Sequence, residues 1–324
     1  MRILMIDASP LFNIRGSARV DRGPPLQKRC AGWSAVRQSD STSTAADLIR
    51  DAAGRLSTVA IETARLDAEV LLRHVLGTDR THLFMRLQEP ITIEEESRFR
   101  TLVERRAAGE PVAYLTGVRE FMGVDLTVGP GVLIPRPETE LIVEWAMSWL
   151  AGKSHASVVD VGTGSGAIIL SLATVMTDRH RGLRIGCDRS PAALAFALYN
   201  RRALGLEARV GLVRGDLLTW LGQPVDLILA NLPYLTPEQL ASNPELQAEP
   251  EIALVSGPEG AEAIEDLLAD VPRVLKAPGA VVIELDPSQA ARIAVLATSM
   301  LPDAAVSTIP DLAGLNRFVV AERG

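Results

Sequence analysis

The stretch Asn231-Leu232-Pro233-Tyr234 has the residue types that can hold a planar NH2 group. It ends the apolar run 225–230, whose length and branching predict a buried parallel strand. The Asn231 side chain and the Leu232 backbone each offer a carbonyl acceptor, and Pro233 favours an extended Leu232 with its carbonyl turned outward. Tyr234 adds a flat face for a conjugated amide or a base. Such a strand end alone is more often a turn, so its interpretation depends on the strand ends beside it.

A glycine-rich loop, Asp160-Val161-Gly162-Thr163-Gly164-Ser165-Gly166, follows a strand predicted at 157–161 and opens a helix. Its glycines allow a tight turn and close approach of a ligand to the backbone. Dinucleotide sites use a related loop, but their spacing is G-x-G-x-x-G. Asp160 also puts a carboxylate where a pyrophosphate-binding loop would avoid one. The loop therefore favours a cationic ligand.

Acidic residues end the next two predicted strands. Asp188 follows the strand 184–187, where it can accept hydrogen bonds from both ribose hydroxyls of an adenosine. Asp216 and Leu217 follow the strand 209–214, so the acid can meet the adenine amino group and the leucine can pack on the ring. Either acid alone would be a helix cap as often as a ligand. Together with the glycine loop and Asn231, these consecutive strand ends predict a site for S-adenosyl-L-methionine.

Length and composition indicate two domains and no membrane span. The 324 residues exceed one typical core, and a hydrophobic content of 47% is ample for burial. Charges or prolines interrupt each apolar run before it reaches membrane-spanning length, so we expect a soluble protein without a membrane partner. Cys30 and Cys187 are the only cysteines. This number fits a reducing cytoplasm and is too small for a thiolate metal site.

The charge and the histidines narrow the class of partner. A net charge of −7 argues against a nucleic acid as the main partner, because affinity for a polyanion comes largely from neutralising its phosphates. The histidines lack the spacing of metal ligands, so we expect no metal site; they are His74, His82, His155 and His180. We expect a monomer that binds no nucleic acid directly.

Residues 1–43 differ in composition from the rest of the chain. They hold several arginines, few acids and the run Gly23-Pro24-Pro25, without a helical or strand period. This pattern predicts a disordered extension over 1–43. An organellar targeting peptide, or a start codon assigned too far upstream, would give the same pattern.

Residues 44–109 have helical periodicity and predict a small all-α bundle. The second helix, which Gly77 stops, is predicted to bury Leu66, Val70, Leu71 and Val75. Thr92 and Glu95 have the spacing of a capping box that opens the fourth helix. A docking module for a macromolecular substrate is favoured over a structural cap, because a small-molecule enzyme has little need of such a bundle.

The rest of the chain predicts an α/β domain. Residues 110–136 are predicted to form a linker with a β-hairpin around Gly123. Residues 137–324 alternate helix and strand, which is typical of a Rossmann-like, doubly wound parallel sheet. Three further strands, at 280–285, 305–309 and 317–321, are predicted, and the last two form an antiparallel pair. Helices are predicted at 138–150, 166–177, 191–204, 259–276 and 287–300.

From about Thr44 to its end the chain resembles the release-factor glutamine methyltransferase family, also called HemK or PrmC. The resemblance is carried by Gly109-Glu110-Pro111, Tyr114-Leu115-Thr116-Gly117, Glu120-Phe121, the run Leu133-Ile134-Pro135-Arg136-Pro137-Glu138-Thr139-Glu140, the glycine loop and Asn231-Leu232-Pro233-Tyr234. It implies an N-terminal helical domain that helps bind the substrate, followed in the chain by a class I S-adenosylmethionine-dependent methyltransferase domain. The implied substrate is the glutamine in the Gly-Gly-Gln tip of a class 1 peptide chain release factor. The tetrapeptide would then be the catalytic site.

One departure from the family keeps alternatives open. The family's usual tetrapeptide is Asn-Pro-Pro-Tyr, and Leu232 replaces its first proline. The carbonyl of that residue is present in either form. Asn-Leu-Pro-Tyr is also similar to the form in rRNA adenine dimethyltransferases, so an adenine amino-group methyltransferase acting on RNA or DNA is one alternative. A ribosomal-protein glutamine methyltransferase is another, and a nucleotide-dependent oxidoreductase or a non-catalytic adenosine-binding module are more distant ones.

Overall fold

The computed structural model describes residues 43–176 and 180–324. The extension predicted over 1–43 therefore lies outside the described residues, except for Ser43. The described chain divides into two compact units, with the boundary between Thr116 and Gly117. The segment predicted as a linker contributes a short helix to the first unit and a hairpin to the second.

The first unit is helical, as predicted. Its helices are α1 Ala45–Ser57, α2 Ala64–Leu76, α3 Arg80–Met85, α4 Ile93–Ala107 and α5 Val112–Thr116. The capping box at α4 is confirmed, because the Thr92 side chain accepts from the Glu95 backbone N–H and the Glu95 carboxylate accepts from the Thr92 N–H. Gly77 ends α2 in the left-handed conformation. Leu71 and Phe99 lie in one buried cluster that joins α2 to α4.

One prediction for α2 is wrong. Leu66 is 53% exposed, whereas Ala68, Leu71, Leu72 and Val75 are buried. The buried face includes Leu72, at i+4 from Ala68, and Leu66 lies on the other side of the helix. The charged residues at the start of α2 do not mark one polar face, so the sequence alone is compatible with several buried faces. Packing against α1 and α4 selects one of them.

The second unit contains the predicted α/β sheet. Its strands are β1 Val118–Phe121, β2 Val124–Thr127, β3 Val158–Val161, β4 Arg184–Asp188, β5 Gly211–Arg214, β6 Val225–Asn231, β7 Leu275–Glu284, β8 Ala304–Pro310 and β9 Asn316–Arg323. Its helices are α6 Glu140–Leu150, α7 Ala167–Val175, α8 Pro191–Ala203, α9 Pro237–Ala241, α10 Glu262–Val274 and α11 Ala290–Met300. Strands β1 and β2 form the predicted hairpin, whose turn residues Met122 and Gly123 both have positive φ.

The strand order explains where a ligand site forms. Within the described residues, one sheet has the order β5-β4-β3-β6-β7-β9-β8, in which β5 through β7 are parallel. The antiparallel pairing of β9 with β7 and β8 confirms the predicted closing pair. The chain leaves β3 towards β4 and later returns to its other side as β6. This reversal creates a crevice at the carboxyl ends of β3 and β6, the usual ligand site of such sheets.

Most element boundaries differ from the predictions by one to three residues, and the start of β7 and the segment before α10 differ most. Strand β7 begins at Leu275, before the predicted 280, although Pro278 and Gly279 interrupt its apolar pattern. Helix α10 begins at Glu262 because Gly260 has a φ of +75°. The segment between β6 and α10 contains α9 and short 3-10 turns that the sequence analysis did not predict. Along the part of the chain that the structure describes, every helix is too short or too polar to span a bilayer.

Candidate active site

A cleft opens at the carboxyl ends of β3, β4, β5 and β6. It holds about 1160 Å³ of space, including the open solvent at its mouth. Its lining comes from the ends of all four strands, so one ligand in the cleft can contact residues of each of them. Most of the predicted site residues line it: Gly162, Thr163, Gly164, Ser165, Asp188, Asp216, Leu217, Asn231, Leu232 and Pro233. Three other predicted site residues are not among the described residues that line the cleft: Asp160, Gly166 and Tyr234.

The glycine loop brings the ends of β3 and β6 together. Gly162 has a φ of +73°, and a Cβ atom there would lie 3.0 Å from Leu232 Cδ2 and 3.2 Å from the Asn231 carbonyl oxygen. The backbone N–H groups of Gly162 and Thr163 both donate to the Cys187 carbonyl oxygen at the end of β4. A glycine is therefore required for both the conformation and the close approach of the strand ends.

Asp160 lies beneath this loop. Asp160 is fully buried, and its Oδ2 accepts a hydrogen bond of 2.6 Å from the Thr163 hydroxyl. Its Oδ1 is buried without a hydrogen-bond partner among the described residues. Burial raises the pKa of Asp160 to about 7, and the bond from Thr163 only partly opposes this effect. Asp160 therefore supports the loop from below, through Thr163.

Asp188 lines the cleft and fixes the loop from its open side. Its Oδ2 accepts from the Gly164 N–H at 2.9 Å, and its Oδ1 accepts from the Ser190 N–H at 2.8 Å. Burial raises the pKa of Asp188, and these two backbone hydrogen bonds oppose the shift. Each carboxylate oxygen has a second lone pair, so Asp188 can also accept from ligand hydroxyls.

Asp216 and Leu217 form the wall of the cleft after β5. The Asp216 residue is exposed, and Leu217 has a φ of +45°, a conformation that is uncommon for a residue other than glycine. The Leu217 carbonyl oxygen accepts a hydrogen bond of 2.9 Å from Trp220 Nε1, which holds this turn. The turn places both residues in the cleft wall at the end of a strand adjacent to Asp188.

Asn231 is held by a residue from a distant part of the chain. Its Nδ2 donates to the hydroxyl of Thr139, at a distance of 3.0 Å. Because the amide nitrogen is used in this way, the free hydrogen-bonding atom on the other branch of the amide is the carbonyl oxygen Oδ1. Both Asn231 and Thr139 line the cleft. The Asn231 side chain therefore offers an acceptor.

The rest of the tetrapeptide is anchored from below. Tyr234 is half-buried against the core, and burial and the nearby Glu284 carboxyl raise the pKa of its hydroxyl. The Tyr234 carbonyl oxygen accepts a hydrogen bond of 3.1 Å from Gln289 Nε2, which also donates to Gly260. Leu232 is buried against the glycine loop. The structure thus brings Asn231, Leu232 and Pro233 to the cleft and places the Tyr234 side chain beside it.

A segment before α6 closes one side of the cleft, although the residues themselves predicted only a part of a linker. Glu249 accepts from the Ile134 backbone N–H at 2.9 Å and pairs with the Arg136 guanidinium. The Glu249 residue is buried. This pairing joins the segment 131–136 to the loop after α9, and residues of both line the cleft. The family resemblance carried by residues 133–140 was the one feature of the sequence that indicated a role for this segment in the site.

Asn200 is a second positioning residue that sequence reasoning missed. It is 1% exposed on α8, and its Nδ2 donates to the carbonyl oxygens of Thr127 and Ser165 at 3.0 Å each. Its Oδ1 accepts from the Thr127 N–H at 2.8 Å. One buried amide thus joins the hairpin to the glycine loop. A polar residue on the buried face of an apolar helix was the signal for it.

Comparison with known proteins identifies the family of this chain. The PrmC N-terminal domain family matches residues 47–117, and a methyltransferase domain family matches residues 152–302. A release factor glutamine methyltransferase of Moorella thermoacetica is 39% identical over 275 residues, 84% of this chain and 96% of the relative. That of Deinococcus radiodurans is 37% identical over 278 residues, 86% of this chain and 98% of the relative. The chain belongs to the release factor glutamine methyltransferase family.

A solved structure supports the fold of this family member. The hMettl16 catalytic domain, solved in complex with the MAT2A 3'UTR hairpin 6, superposes with a TM-score of 0.52 at 16% sequence identity. The match covers 68% of this chain and 81% of that one. At this identity the likeness concerns the fold alone, which is the class I methyltransferase fold.

The buried carboxyl of Asp160 predicts a pH dependence of stability. Its pKa is raised to about 7 when folded, against an ordinary value of 3.8, so the folded state holds a proton that the unfolded state loses. The free energy of unfolding should therefore fall as the pH rises from 4 to 7, by up to about 1.4 kcal/mol per pH unit from this group. Urea unfolding of the wild type and Asp160→Asn at several pH values measures this contribution, because the variant lacks it.

The matched control is Asp125→Asn, at an exposed carboxylate of β2. It should keep the wild-type slope of unfolding free energy against pH. Equal slopes for the wild type and Asp160→Asn would contradict the assignment of a raised pKa to Asp160.

Proposed function

We propose that this protein transfers a methyl group from S-adenosyl-L-methionine to the side-chain amide nitrogen of a glutamine. The substrate we propose is the glutamine in the Gly-Gly-Gln tip of a class 1 peptide chain release factor. The observation that carries the proposal is the position of Asn231, Leu232 and Pro233 in the same cleft as the glycine loop, in a member of this family. We place the reaction in the cytoplasm, where release factors act.

The donor set of the cleft fits the proposed cofactor. Asp188 has carboxylate lone pairs that can accept from the ribose hydroxyls. Asp216 can accept from the adenine amino group, and Leu217 can pack against the adenine ring. The positive φ of Gly162 and Gly164 lets the backbone approach the ligand without a side chain between them. S-adenosylmethionine, when bound, supplies a methyl group made electrophilic by the positively charged sulfur.

The tetrapeptide makes the amide nitrogen reactive. The lone pair of a glutamine amide is delocalised into its carbonyl, so the nitrogen is a poor nucleophile. Asn231 Oδ1 and the Leu232 carbonyl oxygen can accept the two N–H hydrogens, which favours a pyramidal nitrogen and directs its lone pair towards the cofactor. The nitrogen forms a bond to the methyl carbon while the carbon–sulfur bond breaks.

The chain needs no strong general base for this reaction. The alkylated nitrogen becomes acidic and can lose a proton to water or to a carbonyl acceptor.

The first unit has a separate role in the proposal. Its helices, in the region that matches the PrmC N-terminal domain family, dock the body of the release factor while the tip enters the cleft.

Asp188→Ala should weaken binding of S-adenosylmethionine. A hydrogen bond to a charged group contributes on the order of 1.5–3 kcal/mol, so we expect that loss of binding free energy. Isothermal titration calorimetry measures it. Asp125→Ala, at an exposed carboxylate away from the cleft, is the control. An unchanged affinity in Asp188→Ala would remove Asp188 from the cofactor site.

Asn231→Ala should lower turnover by roughly 10²-fold or more, the scale for removing one preorganised polar contact. The affinity for S-adenosylmethionine should change much less, because the main cofactor contacts lie on other strand ends. Steady-state kinetics and calorimetry separate the two effects. Leu232→Pro, which restores the family's usual tetrapeptide, should leave turnover close to the wild-type value. An Asn231→Ala enzyme with normal turnover would refute the role of the amide.

The substrate is tested with three candidates, each in a separate reaction. Purified release factor, ribosomal protein and rRNA are each incubated with the enzyme and methyl-labelled S-adenosylmethionine. We expect label on the release factor alone, at the Gly-Gly-Gln glutamine, and no label when that glutamine is replaced. Label on adenine-containing RNA with an inert release factor would instead establish the adenine alternative. Label on the ribosomal protein alone would establish the other glutamine substrate.

A further inference from the structure

Glu284 is a buried carboxyl group at the end of β7 that the proposed reaction does not use. The residue is 1% exposed. Its Oε2 is buried without a hydrogen-bond partner among the described residues. A buried carboxyl that forms no direct ion pair usually lowers stability, and an apolar residue of similar size would pack better there. Its position therefore points to a role other than stability.

The sheet places Glu284 next to Asn231. The two residues are direct partners in the parallel register of β6 and β7. Side chains at paired positions of parallel strands point to the same face of the sheet. On that face, two residues earlier on each strand, Leu229 and Val282 pack in the core cluster that includes α6. Thr139, which immediately precedes α6, lies over this face and bonds Asn231.

The hydrogen bonds between these residues have a direction. A threonine hydroxyl has one hydrogen to donate and two lone pairs that accept. The Thr139 hydroxyl accepts from Asn231 Nδ2 at 3.0 Å, and its own hydrogen remains available to the neighbouring Glu284 carboxyl group, whose pKa it lowers. An ionised carboxylate can only accept, so Glu284 favours the arrangement in which the Thr139 hydrogen is directed to it. Donation then runs from Asn231 through Thr139 to Glu284.

We propose that Thr139 and Glu284 are positioning residues that hold the Asn231 amide with its carbonyl oxygen available to the substrate. The proposal rests on the proposed function, in which this oxygen accepts from the substrate NH2 group. The two branches of an asparagine amide have nearly the same shape, so packing alone does not choose between them. Without the acceptor at Thr139 the amide can turn over. It would then present its own NH2 group to the substrate NH2 group, which cannot accept.

Ionisation of Glu284 controls this direction. Burial raises the pKa of Glu284 to about 7, although the nearby Thr139 hydroxyl opposes the shift. The charged and titratable groups around it are Arg317 and Arg136, which favour the carboxylate, and Glu138 and Tyr234. When Glu284 is protonated it can donate to Thr139, which frees the Thr139 hydrogen for Asn231 Oδ1. Turnover should therefore fall as the pH drops below 7.

The first test compares Thr139→Val with Thr139→Ser under saturating S-adenosylmethionine. Removal of a neutral hydrogen bond should lower kcat by roughly 10-fold in Thr139→Val. Thr139→Ser keeps the hydroxyl and should restore most of the wild-type kcat. Cofactor affinity and melting temperature, measured for both, should agree within error. Equal kcat for the two variants would overturn the proposal.

The second test is the pH profile of kcat for the wild type and Glu284→Gln. The wild type should lose activity towards acid pH with a midpoint near the Glu284 pKa of about 7. Glu284→Gln cannot ionise, so this step should be absent from its profile. The same acid limb in both proteins would show that Glu284 does not set the direction of the hydrogen bonds.

A third measurement needs no substrate and separates this proposal from the proposed function. With asparagine-selective 15N labelling, the Asn231 side-chain NH2 signal is assigned by its absence in Asn231→Asp. Its hydrogens should exchange slowly in the wild type and in Thr139→Ser, and much faster in Thr139→Val. Slow exchange in Thr139→Val would overturn the positioning role, whether or not a release factor is methylated. An unlabelled release factor together with the expected exchange rates would refute only the proposed substrate.

Discussion

The parallel pairing of β3 with β6 is the constraint on which the rest of the site depends. Val161 lies opposite Ala230 in this pairing, so the glycine loop and the tetrapeptide leave the sheet side by side. Any side chain at Gly162 would meet Asn231 and Leu232. The glycine therefore sets the distance between the part of the cleft that suits a cofactor and the part that suits an amide. The chain reversal between the two strands opens the crevice that both parts share.

Around this pairing the site is stabilised by polar side chains that are themselves buried. Asp160 supports the loop from below through Thr163, and Asn200 ties the same loop to the hairpin. Glu249 fixes the segment before α6 over the cleft. Buried polar groups that are hydrogen-bonded specify one arrangement of the backbone, because each alternative leaves a donor or an acceptor without a partner. The cleft is therefore largely formed before a ligand binds.

The sheet and the strand-end residues could be predicted from the sequence, because a strand and its end are determined by residues that are neighbours in the chain. An apolar run of strand length followed by Asp188 or Asn231 gives both the element and the edge at which its last residue lies. The contact of Asn231 with Thr139 spans 92 positions in the chain, and no local pattern encodes it. The direction of a side chain after a strand end is equally non-local. Tyr234 turns to the core, and Asp160, which lies within β3, is covered by its own loop.

The same reasoning explains the error at Leu66 and the omission of Glu249. Several faces of α2 are apolar enough to be buried, and only the packing of its neighbours selects one. Glu249 follows a segment of short turns without periodicity, so its burial depends entirely on the segment 131–136 that it binds. The family resemblance through 133–140 identified that segment as important, and its contacts with Glu249 give it a physical role.

In the proposed reaction, Asn231 and Leu232 hold the substrate amide by two carbonyl oxygens. A crystal structure of the enzyme with S-adenosylhomocysteine and a peptide containing Gly-Gly-Gln tests it most directly. We expect the glutamine side-chain nitrogen at roughly 2.7–3.2 Å from both Asn231 Oδ1 and the Leu232 carbonyl oxygen. We also expect Asn231 Nδ2 to keep its hydrogen bond to the Thr139 hydroxyl. A glutamine amide bound elsewhere, or held by neither oxygen, would show that Asn231 and Leu232 do not position the substrate.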